Sequence, residues 1–225
     1  RTNGSNLSTY TPSTGAIKTL LSLSAPDLTI RWKDATHILI MDKPNSLVPG
    51  TIWDFSTTAS TLTPFAANVS GADVLWGGPS SGGLLFKAGP TGGTLTMVNS
   101  AGNAVQSTSF LTLTSKCVFG ESAPTNTIPN MQRYLFCGIP QDQAIMKESQ
   151  LPDDYLKGKF GTADTLYAIN MIGGTLKPII PASQNFNFDV SNVKVYGEDL
   201  YFVNRNDKKL YKVSLSALAA GAEGG

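Results

Sequence analysis

The stretch Thr51-Ile-Trp-Asp-Phe-Ser-Thr-Thr-Ala-Ser-Thr-Leu-Thr-Pro-Phe-Ala66 decides how the rest of the chain is read. It is a short aromatic-ended strand, a polar turn, and a second strand with apolar residues at alternate positions, the period of a pleated strand and not of a helix. The same unit stands at Asn6-Leu-Ser-Thr-Tyr10 turning through Ser13-Thr-Gly15 into Ile17 to Leu23. It returns at Thr94-Leu-Thr-Met-Val98 through Ala101-Gly102 into Ala104 to Phe110, and at Thr165-Leu-Tyr-Ala-Ile169 through Gly173-Gly174 into Leu176 to Ile180. A last copy, Lys209-Leu-Tyr-Lys-Val213, has no partner strand after it. Successive copies lie roughly 44 residues apart, with one interval of about 71, and this spacing is that of a four-stranded propeller blade.

Between the copies lies a second strand pair: Leu28 to Trp32 with Thr36 to Met41, Asp73 to Trp76 with Gly83 to Lys87, Lys116 to Phe119 with Arg133 to Gly138, and Asn192 to Tyr196 with Asp199 to Asn204. Lettered a to d from the axis outward, the strands read c-d, three full a-b-c-d blades, then a-b-c. The expected fold is an all-β propeller segment of about four blades of four-stranded antiparallel sheets. Its blades lie near 1–25, 26–70, 71–113, 114–182 and 183–215 within a segment 1–218, followed by a tail at 219–225. Helical periodicity is confined to Ser214 to Ala222, and the long interval reflects insertions at Glu121 to Gln132 and Gln141 to Asp164. Because the two ends would duplicate strand c, the chain is expected to be part of a larger ring of roughly six to eight blades. An open arc exposes two apolar blade faces, which the missing N-terminal blades or another copy of the chain would cover. A self-closed four-bladed ring is the competing arrangement.

Composition narrows the functions. Seventeen basic and sixteen acidic residues nearly cancel to a net +1, and charged residues make up 15% of the 225, against about 25% in typical domains. A dedicated nucleic-acid binder needs a basic patch that is missing here. One His and two Cys are too few for a zinc cluster or iron–sulfur site, so no cofactor is expected. No run reaches the length of a membrane-spanning helix.

The succession Lys116-Cys-Val-Phe119, Leu135-Phe-Cys-Gly-Ile-Pro140, Leu151-Pro-Asp-Asp-Tyr155 with Gly158, and Leu200-Tyr-Phe-Val-Asn204 followed by Leu210-Tyr211 resembles a group of WD-repeat-like or TolB-like propeller proteins of candidate phyla radiation bacteria. The resemblance covers roughly residues 5–215. It implies a longer chain with an N-terminal membrane anchor, a linker and a propeller displayed outside the cell, and it carries over no catalytic residues. Phe119 and Leu156 depart from the group, where Trp and Tyr are expected.

Cys117 and Cys137 fall on strands expected to pair. A disulfide there closes a loop of about 20 residues, stabilises by roughly 3 kcal/mol and belongs to an oxidising compartment; two buried thiols are the alternative. Gly78-Pro-Ser-Ser-Gly82 matches the serine-hydrolase elbow, but the elbow requires a helix after the serine and a strand follows here. Asp153 and Asp154, with Asp142, Glu148 and Asp164 near them, form the densest carboxylate group. Paired carboxylates about 5 to 9 Å apart run glycoside hydrolysis, whereas Pro152-Asp153-Asp154-Tyr155 also reads as a turn with backbone caps. Asp153, Asp154, Tyr155 and the outer-strand Trp53 are the candidate binding residues. Trp32, Trp76 and Phe119 end three successive inner strands, a spacing suited to packing between blades. Sequons at Asn3, Asn6 and Asn68 matter only in a glycosylating host.

The expected function is a non-catalytic extracellular or cell-surface recognition module that binds protein or glycan through the face bearing the two insertions. A propeller-type carbohydrate-active enzyme using the insertion carboxylates is one alternative. A structural subunit that self-assembles through open blade edges is the other.

Overall fold

Strands with apolar residues at every second position must bury one or both faces, and here they do so by standing sheets side by side. A computed structural model describes residues 4–78, 81–121, 130–180 and 187–216. The first sheet pairs β1 (Ser5–Thr11) with β2 (Ala16–Leu23). The second runs in order through β3 (Thr29–Trp32), β4 (His37–Met41), β5 (Pro49–Ser56) and β6 (Thr61–Ser70). The third holds β7 (Asp73–Gly78), β8 (Gly82–Ala88), β9 (Gly93–Val98) and β10 (Ala104–Ser107). The fourth holds β11 (Cys117–Phe119), β12 (Tyr134–Pro140), β13 (Asp164–Asn170) and β14 (Leu176–Pro178), and the fifth β15 (Val190–Tyr196), β16 (Asp199–Asn204) and β17 (Leu210–Ser214). Every neighbouring pair is antiparallel. Strands β3, β7, β11 and β15 touch one another in order, which makes them the inner strands of a propeller.

Four apolar clusters form the four boundaries between successive sheets. Leu7, Leu20 and Leu23 meet Ile38, Ile40 and Phe55 between the first and second sheets. Leu39, Met41 and Ile52 meet Val74 and Leu85 between the second and third. Leu84 and Phe86 meet Leu135, Cys137 and Ile139 at the next boundary, and Phe136 and Leu166 meet Val190, Leu200 and Phe202 at the last. Along β12, Leu135 and Cys137 serve one cluster and Phe136 the other, so this central strand is buried on both faces. Full burial of one such Leu or Phe contributes about 1.5–3 kcal/mol. Among the described residues no cluster joins the fifth sheet to the first, and the sheets form an open arc.

Phe119 fits where a bulkier ring was expected because Gly77 lies against its face; a Cβ there would collide with the ring. Pro79 and Ser80 of the elbow-like motif lie outside the described residues, but β7 and β8 on either side pair as a hairpin, with no helix after them. Most of the expected helical segment at 214–222, the tail at 219–225 and most of the 121–132 insertion lie outside the described residues too. The described part of the chain does contain helices that periodicity missed: α1 (Gln143–Glu148) and α2 (Asp153–Leu156), both in the longer insertion. Asp142 caps α1 by accepting from Ala144 N–H at 2.9 Å and Ile145 N–H at 3.3 Å, a local signal too short to show a period.

The expectation of two bare apolar end faces is half corrected. On the fifth sheet the residues turned away from its cluster include Lys194, Tyr201 and Lys212 in one cross-strand row, with Lys212 Nζ 3.1 Å from Asp199. That face mixes these charges with the exposed side chains of Tyr196 and Leu210. No helix is long and apolar enough to cross a membrane among the described residues.

Candidate functional site

The heads of three successive inner strands carry a charge: Asp73 begins β7, Lys116 stands one residue before β11, and Asp189 one residue before β15. Each is drawn to its neighbours across a blade boundary. Thr114 donates its hydroxyl to Asp73, and Arg31 Nη2 is 3.7 Å from the same carboxylate. Lys116 is fully buried, and its Nζ donates to Asp164 at 2.6 Å, Asp189 at 2.7 Å and the Thr162 hydroxyl at 2.7 Å. The Tyr155 hydroxyl donates to Asp189 at 2.5 Å, while the Arg205 guanidinium lies 3.9 Å from the centre of the Tyr155 ring. Burial works against the Lys116 charge, but Asp164, Tyr155 and Asp189 outweigh it and hold its pKa above the usual lysine value. Burial pushes the Asp164 carboxyl up, with Lys116 pulling the other way. At Asp189 burial also pushes up, but Lys116 and the bonds from Tyr155 and Thr162 hold it below the usual range. Sequence reading missed this cluster because its members lie 48 and 73 residues from Lys116.

The insertion carrying the candidate carboxylates is fastened across the arc. Asp153 accepts from the Ser46 N–H at 2.7 Å, a bond to the second sheet. Gly92 of the third sheet donates its N–H to the Ser149 carbonyl at 2.7 Å, and Tyr155 reaches the fifth sheet through Asp189. Asp154 accepts from Gln150 N–H at 3.0 Å and sits 2.6 Å from Lys159 Nζ. The structure therefore brings Asp153, Asp154 and Tyr155 together on one insertion. Both carboxylates are engaged with backbone N–H groups and lysines, and Tyr155 is buried. Trp53 is elsewhere, half-buried at the boundary between the first and second sheets. Cys117 and Cys137 face each other in register and are disulfide-bonded, with Cα atoms 4.1 Å apart.

These carboxylates set the acid response. The Thr36 N–H bond, working against burial and helped by His37, holds Asp34 at about 2. Lysine 159 and the Gln150 N–H lower Asp154. At Asp153 burial pushes up, and the Ser46 bonds and Lys157 more than reverse it. A carboxyl lowered by folding stabilises above its unfolded pKa of about 4 and loses that contribution as pH falls through the folded value. Asp164, raised by folding, acts in the opposite sense. The urea midpoint is expected to fall steadily from pH 4 to pH 2; a midpoint constant across that window would contradict the assignment.

A groove of about 520 Å³ lies between the third and fourth sheets. Met97 and Met171 are half-buried in its lining, Val105 and Ile172 stand exposed, and Asn99, Gln106, Gln132 and Arg133 supply polar groups. A smaller cavity of about 140 Å³ continues it over Phe110, Leu135 and Ile169. The Ser81 hydroxyl donates to the Gln132 carbonyl at 3.2 Å and ties the two sheets at one end. Inter-blade spacing cannot be read from a sequence, so nothing there announced the groove. Among the described residues no group of three His, Cys, Asp or Glu stands close enough to hold a metal ion.

The arc of four-stranded sheets defines the chain as β-propeller structure, and comparison with solved structures agrees. No protein-family model matches the chain, and no curated protein does. An oligogalacturonate lyase from Vibrio parahaemolyticus superposes with a TM-score of 0.57 at 11% identity, over 93% of this chain and 54% of that one. The β-propeller domain of the Trilobed protease from Pyrococcus furiosus gives 0.55 at 11% identity, over 93% of this chain and 60% of that one. The acylaminoacyl peptidase of Pyrococcus horikoshii gives 0.55 at 13%, over 92% of this chain and 33% of that one. The chain thus spans between about a third and three-fifths of these proteins' lengths. At such identities the likeness shows the fold alone. It nonetheless corrects the expectation of a non-enzyme: the lyase, the peptidase and a puromycin hydrolase share the fold, so low charge and scarce histidine do not exclude catalysis.

Proposed function

We infer that this chain is part of an extracellular or cell-surface propeller that recognises a protein or glycan in the groove between its third and fourth sheets. The groove itself carries the reading: a lining that includes two adaptable methionines, a rim of amide groups and one arginine, and two sheets tied at its edge by the Ser81–Gln132 bond. The Cys117–Cys137 disulfide supports an oxidising compartment, and the resemblance to surface-displayed propellers agrees with it.

The test is capture of ligands from a glycan array and a displayed peptide library, repeated with Val105→Lys and Arg133→Glu. Both side chains are exposed, so the fold should survive. Ligands of the unmodified chain should lose about tenfold in affinity, near 1.4 kcal/mol. Ligands that bind both variants unchanged would move recognition away from the groove, and an absence of ligands would end the reading.

A further inference from the structure

Two residue rows cross one face of the second sheet. Ile30 stands opposite Ile40 and then Trp53; Trp32 stands opposite Ile38, then Phe55, then Leu62. Ile38, Ile40 and Phe55 are at most 2% exposed, covered by the leucines of β1 and β2. The inner-strand members of the same rows are open: Ile30 is 52% exposed and Trp32 60%. The repeat shows what is missing. Trp76, in the equivalent place on β7, is packed against the second sheet, its ring edge-on to Phe65 and its Nε1 donating to the Lys33 carbonyl at 2.7 Å. Phe119, equivalent on β11, is 4% exposed against the third sheet. Each of these aromatics is covered by a four-stranded sheet preceding its own. The sheet preceding Trp32 has two strands, matching only the outer pair of the repeat, and β1 pairs with no described strand but β2.

We propose that Ile30, Trp32 and the free edge of β1 form a docking site for two further antiparallel strands that complete the first sheet, supplied by polypeptide on the N-terminal side of β1. The open patch continues the apolar boundary already formed by Ile38, Ile40 and Phe55. The source follows from connectivity: in each of the other four sheets the second strand leads directly into the third, so the strand that pairs with β1 is the one that runs into it. The docked pair presents apolar side chains at alternate positions to Ile30 and Trp32, and its second strand satisfies the unpaired backbone groups of β1.

The experiment uses 5-fluorotryptophan NMR on residues 1–225 and on the longest natural form of the protein, with the Trp32 signal assigned by Trp32→Phe. The signal is expected to be solvent-exposed in the shorter chain and several-fold less accessible to a soluble quencher in the longer one, with β1 amides gaining exchange protection. Trp32→Lys should leave the urea midpoint of the shorter chain almost unchanged and lower that of the longer form. The proposal is overturned by equal quenching of Trp32 in both forms. It is also overturned by protection that appears only with rising concentration, which would make a second copy the occupant.

Discussion

Lys116→Met is expected to be the most damaging single substitution in the described chain. Methionine is unbranched and only one atom shorter than lysine, so it keeps most of the packing of the stem while removing the ammonium group. It leaves Asp164 and Asp189 buried without the cation that each accepts from at 2.6 and 2.7 Å. Breaking a buried pair from one side costs about 3–5 kcal/mol, a large part of the roughly 5–15 kcal/mol that holds a domain folded. Urea unfolding should show the loss as a lower midpoint with an unchanged slope. Asp164→Asn in the same chain should return part of it, because Asp164 is then neutral while Asp189 keeps Arg205 at 3.6 Å and the Tyr155 and Thr162 hydroxyls. A loss under about 1 kcal/mol would mean that water already reaches the cluster and that the surface value for an ion pair applies. The alkaline limb follows from the same residues. Lys116 and Tyr155 both favour their protonated forms in the folded chain. Their contribution is complete below about pH 10 and is lost as pH climbs through the raised folded values.

Replacing both cysteines, Cys117→Ser with Cys137→Ser, is expected to cost about 3 kcal/mol. The bridge spans a sequence separation of 20, and closing a loop of that size removes roughly this much chain entropy from the unfolded state. The strands it links sit between the clusters that seal the third and fourth sheets and the fourth and fifth. The loss should therefore appear as a lower midpoint for the whole arc and not as local fraying. Treating the unmodified protein with reductant should reproduce it. An unchanged midpoint would show that β11 and β12 are held without the bridge, and the compartment inferred from it would lose its support.

Much of this architecture was legible beforehand because it is encoded locally. Alternation along Ile38 to Met41 or Leu200 to Asn204 is a property of neighbouring residues, and repetition turns one hairpin into a series of sheets. The Cys117 pairing with Cys137 was legible for the same reason: both sit on strands whose partnership the repeat dictates. Asp153 and Asp154 show where that reasoning stops. Their spacing suited both a turn and a ligand site, and the choice of partner fell to Ser46, 107 residues away. The structure found two short helices where no period could show, one capped by Asp142.

The sequence by itself determined the strands, their order within each sheet, and that Cys117 and Cys137 fall on paired strands, because backbone pairing between adjacent strands depends on residues near one another in the chain; that they are bonded came from the structure. Only the tertiary structure decided that Lys116, Asp164 and Asp189 meet, that Met97 and Met171 line one groove, and that Trp32 is open while Trp76 is covered. Those outcomes depend on the distance and angle between whole sheets, and many side chains along each boundary set that geometry together.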